Sequence, residues 1–249
     1  MLMCTVTYLP KTDGCFIFTS NRDEAPHRSP ENLDTTTISG TQLLFPRDTA
    51  AGGTWVIAGS NGTIVCILNG AFLKHKHQPP YRRSRGLMAL DFFSFDTLHA
   101  FVRQYTFEGM EPFTMVVIRS GQVTDIRWDE KELNVQAKDA TKPHVWSSPT
   151  LYSPEMQQKR EQWFSEWLDG RSTFEQSAIL HWHRTAGEGD PENDVVMNRN
   201  NIVRTVSISS IEATPLQLDF TYHDLLRQQT KKAQLPVNHE ALAVHHRKN

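Results

Sequence analysis

Apolar, β-prone runs broken by turn residues fill the first 70 positions of the chain, and helical segments fall between these and the later strands. Residues 4–9 (CTVTYL) and 15–20 (CFIFTS) are β-prone runs on either side of Pro10-Lys11-Thr12-Asp13-Gly14, a turn-rich connection. Residues 54–58 (TWVIA) and 63–69 (TIVCILN) flank Gly59-Ser60-Asn61-Gly62, whose Asn-Gly pair suits a primed turn and makes this the strongest hairpin signal present. Further strands are predicted over 113–119 and 123–128, around Ser120-Gly121-Gln122, and late ones over 202–211 and 216–222. Between them, Ser84 caps a helix over 85–93 and Asp96 one over 97–104. Pro154 opens a helix to about Leu168, ended by Gly170, and Ser172 or Thr173 starts another to about His183. Residues 185–201 read as a loop. Strands, then helices, then strands indicate layered sheets with helices outside.

Composition narrows this picture. The chain has 249 residues, 38% of them hydrophobic, and a net charge of -2. We expect one domain over 1–227 and a polar, frayed tail over 228–249. A charge so near zero gives no general attraction to nucleic acid or an anionic membrane. No run approaches the roughly 20 apolar residues of a membrane span, and the start lacks a signal peptide's basic and apolar regions. Three cysteines without close spacing make neither a disulfide framework nor a zinc site. The expectation is a cytoplasmic protein without metal or cofactor, in which Asn61-Gly62-Thr63 marks a turn and not a glycan.

The chemistry gathers at the first hairpin. Pairing its runs around a turn near Thr12 sets Cys4 opposite Ser20 to within one residue, with Asn21-Arg22-Asp23-Glu24 running on beside the N-terminus. A thiol is nucleophilic as its thiolate, and a nearby cation favours that form. An α-amine, with an ordinary pKa of about 7.7–8.0, is a usable base at neutral pH, and a carboxylate such as Asp23 can orient it. The alternative is a small buried strand cysteine beside a surface Arg22–Asp23 ion pair.

Ser20-Asn21-Arg22-Asp23-Glu24 after Met3-Cys4 resembles the motif that names the NRDE family, the transport-and-Golgi-organisation type. Gly52-Gly53-Thr54-Trp55 resembles that family's GGTW segment, Leu68-Asn69 its strand end, and Ser84-Arg85-Gly86 its SRG element. Residues 146–154 (WSSPTLYSP) are similar to a divergent LSNA…TP stretch, with Ser148 where the family often has asparagine. Arg204-Thr205-Val206-Ser207 resembles its late arginine-threonine strand. The elements occur in order from residue 3 to about 210.

The resemblance implies an α+β fold, the four-layer αββα sandwich of N-terminal-nucleophile hydrolases, with two antiparallel sheets flanked by helices. It implies a C–N (amide) bond hydrolase with Cys4 as nucleophile, Arg22 and Asp23 beside it, Asn69 as oxyanion donor and Arg204 as a late active-site arginine. Asn21, Trp55, Arg85 and Ser148 would line the site of a small, amide-containing substrate. Family association with Golgi organisation and lipid or haem handling keeps a non-catalytic alternative, a pocket for a lipid-like or haem-like ligand or a trafficking role. Hydrolysis by an N-terminal cysteine requires translation from Met3 or loss of Met1–Met3, because Leu2 is too bulky for ordinary methionine removal.

Pairing the Asn-Gly hairpin around 61–62 sets Asn69 opposite Thr54. There Asn69 is either an oxyanion donor or a strand-end cap before Gly70. Arg204 is in phase with Ile202, Val206 and Ile208, so it needs a partner, in a site or in a structural ion pair. Residues 74–85 carry five Lys/Arg, two His and no acid, which suits an anion-recognising or a merely solvated loop. The His pairs at 75/77, 181/183 and 245/246 lack the partners of a metal site, and Cys15 and Cys66 read as strand residues.

Overall fold

The computed structural model describes residues 5–238. Cys4 and the three residues before it lie outside the described residues, as do 239–249. The described residues form two seven-stranded antiparallel sheets and four α-helices. Sheet A takes β1 (Thr5–Pro10), β2 (Phe16–Glu24), β10 (His144–Ser147), β11 (Asn198–Arg199), β12 (Val203–Ala213), β13 (Gln217–Asp224) and β14 (Gln229–Pro236). Its order is β10-β1-β2-β12-β13-β14, with β11 also on β12. Sheet B runs in chain order from β3 (Leu33–Ile38), β4 (Thr41–Pro46), β5 (Val56–Gly59) and β6 (Ile64–Asn69) to β7 (Phe113–Arg119), β8 (Gln122–Trp128) and β9 (Leu133–Lys138).

Three apolar layers hold these elements together. Between the sheets, Val6, Tyr8 and Phe18 of sheet A meet Val56, Ala58, Cys66 and Leu68 of sheet B. Helices α1 (Arg85–Asp91) and α2 (Leu98–Gln104) cover the outer face of sheet B through Met88, Phe92 and Phe101. Helices α3 (Pro154–Leu168) and α4 (Gln176–Thr185) cover sheet A through Phe164, Ile179 and Trp182 against Leu9 and Ile17. The result is the αββα order expected. Each buried side chain of this size contributes about 1.5–3 kcal/mol. In β1 and β2 the alternation is strict: even residues face sheet B and odd ones face α3 and α4.

The helix caps follow sequence chemistry. Ser84 accepts from the Leu87 N–H and Ser153 from the Met156 N–H. Thr97, not Asp96, caps α2, and α4 begins at Gln176, later than expected. Both hairpin registers differ from the sequence expectation. Asp13 and Gly14 carry the positive φ of the first turn, which centres on Asp13, so Val6 faces Ser20. The second pairing centres on Asn61, with Val56 facing Cys66. Thr54 stands outside β5 and donates to the Pro46 carbonyl at 2.7 Å. The polar stretch expected to fray from 228 instead pairs with β13 as β14 over its described length.

Candidate active site

The NRDE stretch ends β2, and its side chains divide between the two faces of sheet A. Arg22 and Glu24 point between the sheets, while Asn21 and Asp23 point towards α3 and α4. All four are buried. Arg22 and Asp23 are therefore neither a surface pair nor partners of each other.

On the inter-sheet side, Arg22 is fully buried, and its guanidinium lies 4.0 Å from the ring centroid of Trp55. Its Nη2 donates to Asp48 Oδ2 at 2.5 Å, and Arg28 Nη2 reaches the same oxygen at 2.6 Å. Arg28 Nη1 also meets Glu24 at 3.0 Å. Asp48 is fixed in turn by the N–H groups of Ala50 and Ala51, each at 3.1 Å. Burial pulls the Arg22 guanidinium below its ordinary value, and Glu24 and Asp48 oppose that pull. Burial raises the Asp48 carboxyl, but Arg22 and Arg28 outweigh it and hold the group below the usual carboxylate range. Nε and Nη1 of Arg22 have no hydrogen-bond partner among the described residues, although five donors are available on a guanidinium.

On the helix side, Asp23 accepts from Thr205 Oγ1 at 2.5 Å and from Tyr152 Oη at 3.0 Å. Arg160, fully buried on α3, lies 3.7 Å from the Tyr152 ring centroid and donates to Thr5 Oγ1 and to the carbonyls of Asn193 and Asp194. Asn21 is engaged at both ends. Its Nδ2 donates to the carbonyls of His183 and Val195, at 3.0 and 2.9 Å, and its Oδ1 lies 2.5 Å from His183 Nδ1. Because that oxygen only accepts, Nδ1 carries the proton and Nε2 accepts from Thr7 at 2.8 Å. Burial, reinforced by Arg160, lowers the His183 pKa to about 3, so the ring is neutral.

The remaining sequence candidates surround the same end of the hairpin. Thr5, the residue after Cys4, pairs with Ser147 of β10. The next residue, Ser148, donates to the Asn69 carbonyl across the gap between the sheets at 2.8 Å. Asn69 is buried, and its Oδ1 has no partner among the described residues. Arg204 of β12 stands across from Glu24. Arg85 sits apart, paired with Glu111 at 2.9 Å and donating to the Pro112 carbonyl at 2.9 Å. The GGTW and SRG segments touch directly: a Cβ on Gly53 would lie 2.6 Å from the Gly86 carbonyl carbon. Cys66 is buried, and burial pushes its thiol up, which leaves it inert. Sequence reasoning did not pick out Asp48, Arg28, Tyr152 or Arg160. Asp48 carried a signal as an acid entering the Ala-Ala-Gly-Gly turn, and Tyr152 as part of the 146–154 stretch.

The order of these elements decides the family. A profile described as Transport and Golgi organisation 2 matches residues 3–213. The chain belongs to this family. Comparison with curated protein sequences gives no match. Among solved structures, a variant of conjugated bile acid hydrolase from Clostridium perfringens gives a TM-score of 0.52 at 11% identity, over 92% of this chain and 92% of that one. A mutant of the same hydrolase gives 0.53 at 11% identity, over 93% of this chain and 92% of that one. At such identities the likeness is one of fold, and the fold is that of N-terminal-nucleophile hydrolases. Within the family, no helix of the described residues here is long and apolar enough to cross a membrane.

Proposed function

We propose that this protein hydrolyses a C–N (amide) bond in a small molecule, with Cys4 as nucleophile once Met1–Met3 are gone. The α-amine of Cys4 takes the thiol proton, and the thiolate adds to the amide carbonyl carbon. As the tetrahedral intermediate collapses, the C–N bond breaks and the amine's proton passes to the leaving nitrogen. Water, activated by the same amine, then hydrolyses the thioester. Asp23, held by Tyr152 and Thr205, orients the amine. Arg22, with two nitrogens unengaged among the described residues, favours the thiolate and the developing oxyanion. Asn69 adds an amide donor, an interaction of about 2.7–4 kcal/mol in such sites. Arg204 and Ser148 complete the wall.

The observation that carries this reading is the buried Arg22, stacked on Trp55 and anchored through one nitrogen at the end of the hairpin that begins at Thr5, the residue after Cys4. The likeness to a hydrolase of conjugated bile acids in fold supports the same reaction class. Screening purified protein against a panel of N-acyl amides tests it, with Cys4→Ser as comparison. We expect release of amine from at least one amide and none with the variant; equal release by both overturns the assignment.

A further inference from the structure

Beside the Arg22 cluster lies a second feature that hydrolysis itself does not require. A cavity of about 210 Å³ is lined by Arg28, Tyr81, Arg83, Arg85 and Glu111, with Ala51, Ser84 and Gly86 completing the wall. Three guanidiniums and one carboxylate are thus the charged groups of its wall. The acids that hold two of these arginines are not in the wall. Arg28 is held by Glu24 and Asp48, and Arg83 by Asp91 through two contacts of 2.6 Å. Arginines fixed by carboxylates outside a cavity, with further N–H groups to give, are pre-organised for a planar anion. Nε of Arg28 is buried without a hydrogen-bond partner among the described residues. The cavity meets the hydrolytic cluster through two carboxylates, because Arg28 and Arg22 share both Asp48 Oδ2 and Glu24 Oε2.

We infer that this cavity binds a carboxylate carried by the substrate, so that the amide cleaved belongs to an N-acylated amino acid or a similar amide acid. The substrate class rests on the amide-hydrolase reading; the anion site does not. A volume of about 210 Å³ is below the 300–1,000 Å³ of pockets for drug-sized ligands, so it takes the acidic end and leaves the acyl part outside. Glu111 tunes the site: it neutralises Arg85 at 2.9 Å while His75 and His77 lie 3.1 and 3.3 Å from its other oxygen.

The test is calorimetric titration of the full chain with N-benzoylglycine and with its neutral methyl ester, repeated in the Cys4→Ala variant. The acid should bind saturably, more weakly as salt rises, and the ester should not. Arg83→Gln should weaken binding by about tenfold, the loss of one charge-assisted contact. Glu111→Gln should tighten it, a direction that simple structural damage would not produce. Equal binding of acid and ester overturns the proposal, as does a Glu111→Gln variant that stays folded and binds more weakly. Binding that persists in Cys4→Ala while wild-type protein cleaves no amide keeps the anion site and removes the hydrolase reading. Cleavage of neutral amides with no binding of the acid does the reverse.

Discussion

At the residue scale, the molecule commits an unusual amount of buried charge to one strand end. Asp48 is the common acceptor for two guanidiniums, so losing it takes the hydrogen-bonded carboxylate from the buried Arg22 and leaves it the longer 3.7 Å contact to Glu24. Removing one partner from such a pair costs about 3–5 kcal/mol. Asp48→Ala should lower the urea midpoint accordingly. Breaking the half-exposed Lys11–Glu212 pair, 2.7 Å long, should cost less than about 1 kcal/mol. The Asp48 carboxyl is held below its ordinary value, so its share of stability is present at neutral pH and is lost as pH falls through its folded value.

His183 makes a second and separable demand. Its ring is neutral in the folded chain down to about pH 3, whereas its ordinary value is 6.5. Between these values the unfolded chain binds a proton that the folded chain refuses, so stability falls as pH drops from 6.5 to about 3. A stability–pH curve for His183→Asn should be flatter in that window than the wild-type curve. Parallel curves would mean that His183 is charged when folded. Burial and Arg160 keep the ring neutral, and Asn21 fixes which nitrogen holds its one proton.

At the element scale, the strongest single test is Gly53. Its Cβ position is occupied by the Gly86 backbone, and Thr54 N–H donates to the Gly86 carbonyl at 3.3 Å, so α1 starts against this turn. Gly53→Ala must push α1 off sheet B, an overpacking cost of about 1–3 kcal/mol, seen as a lower melting temperature. Gly14→Ala, at φ +73° with open space around it, tests backbone strain alone and should cost about 1 kcal/mol.

The same scale explains what could be read in advance. Central strands such as β6 (IVCILN) and β7 (FTMVVIR) are buried throughout and announce themselves as apolar runs. The strands that escaped notice include all four sheet edges, β10 and β14 of sheet A and β3 and β9 of sheet B. β14, QTKKAQLP, is mostly exposed, and β9, LNVQAK, hardly less so. Such strands exist because a neighbour offers a free ladder, and nothing in their own hydrophobicity records that. Lysines on an exposed edge also discourage further pairing. The site shows the same division. Arg22, Asp23, Asn69 and Arg204 stand in recognisable motifs, but Asp48 and Tyr152 become partners only when remote segments meet. The one-residue hairpin shift likewise came from the turn, since Asn61 spends its side chain on the Thr63 N–H at 3.1 Å.

At the scale of the whole molecule, the two sheets are tied at one end by polar contacts, Arg22 to Asp48 and Ser148 to the Asn69 carbonyl, while apolar packing fills the rest of the gap. Polar ties of this kind are poor sources of stability, so their concentration at one end argues for a site there. Whether that site performs hydrolysis turns on the three residues before Cys4. With Met1–Met3 retained, the charged amine belongs to Met1 and the nitrogen of Cys4 is an amide, which is no base. We therefore expect intact-mass measurement of the purified protein to find a chain that begins at Cys4. On the proposed mechanism, in which Arg22 favours the thiolate, its thiol should react with iodoacetamide at neutral pH faster than an ordinary cysteine of pKa about 8.5 would. Arg22→Gln should slow that labelling without changing the mass. A protein that keeps its first three residues and still cleaves amides would exclude the amine as base, and the proton would have to be taken by another group at the end of the hairpin.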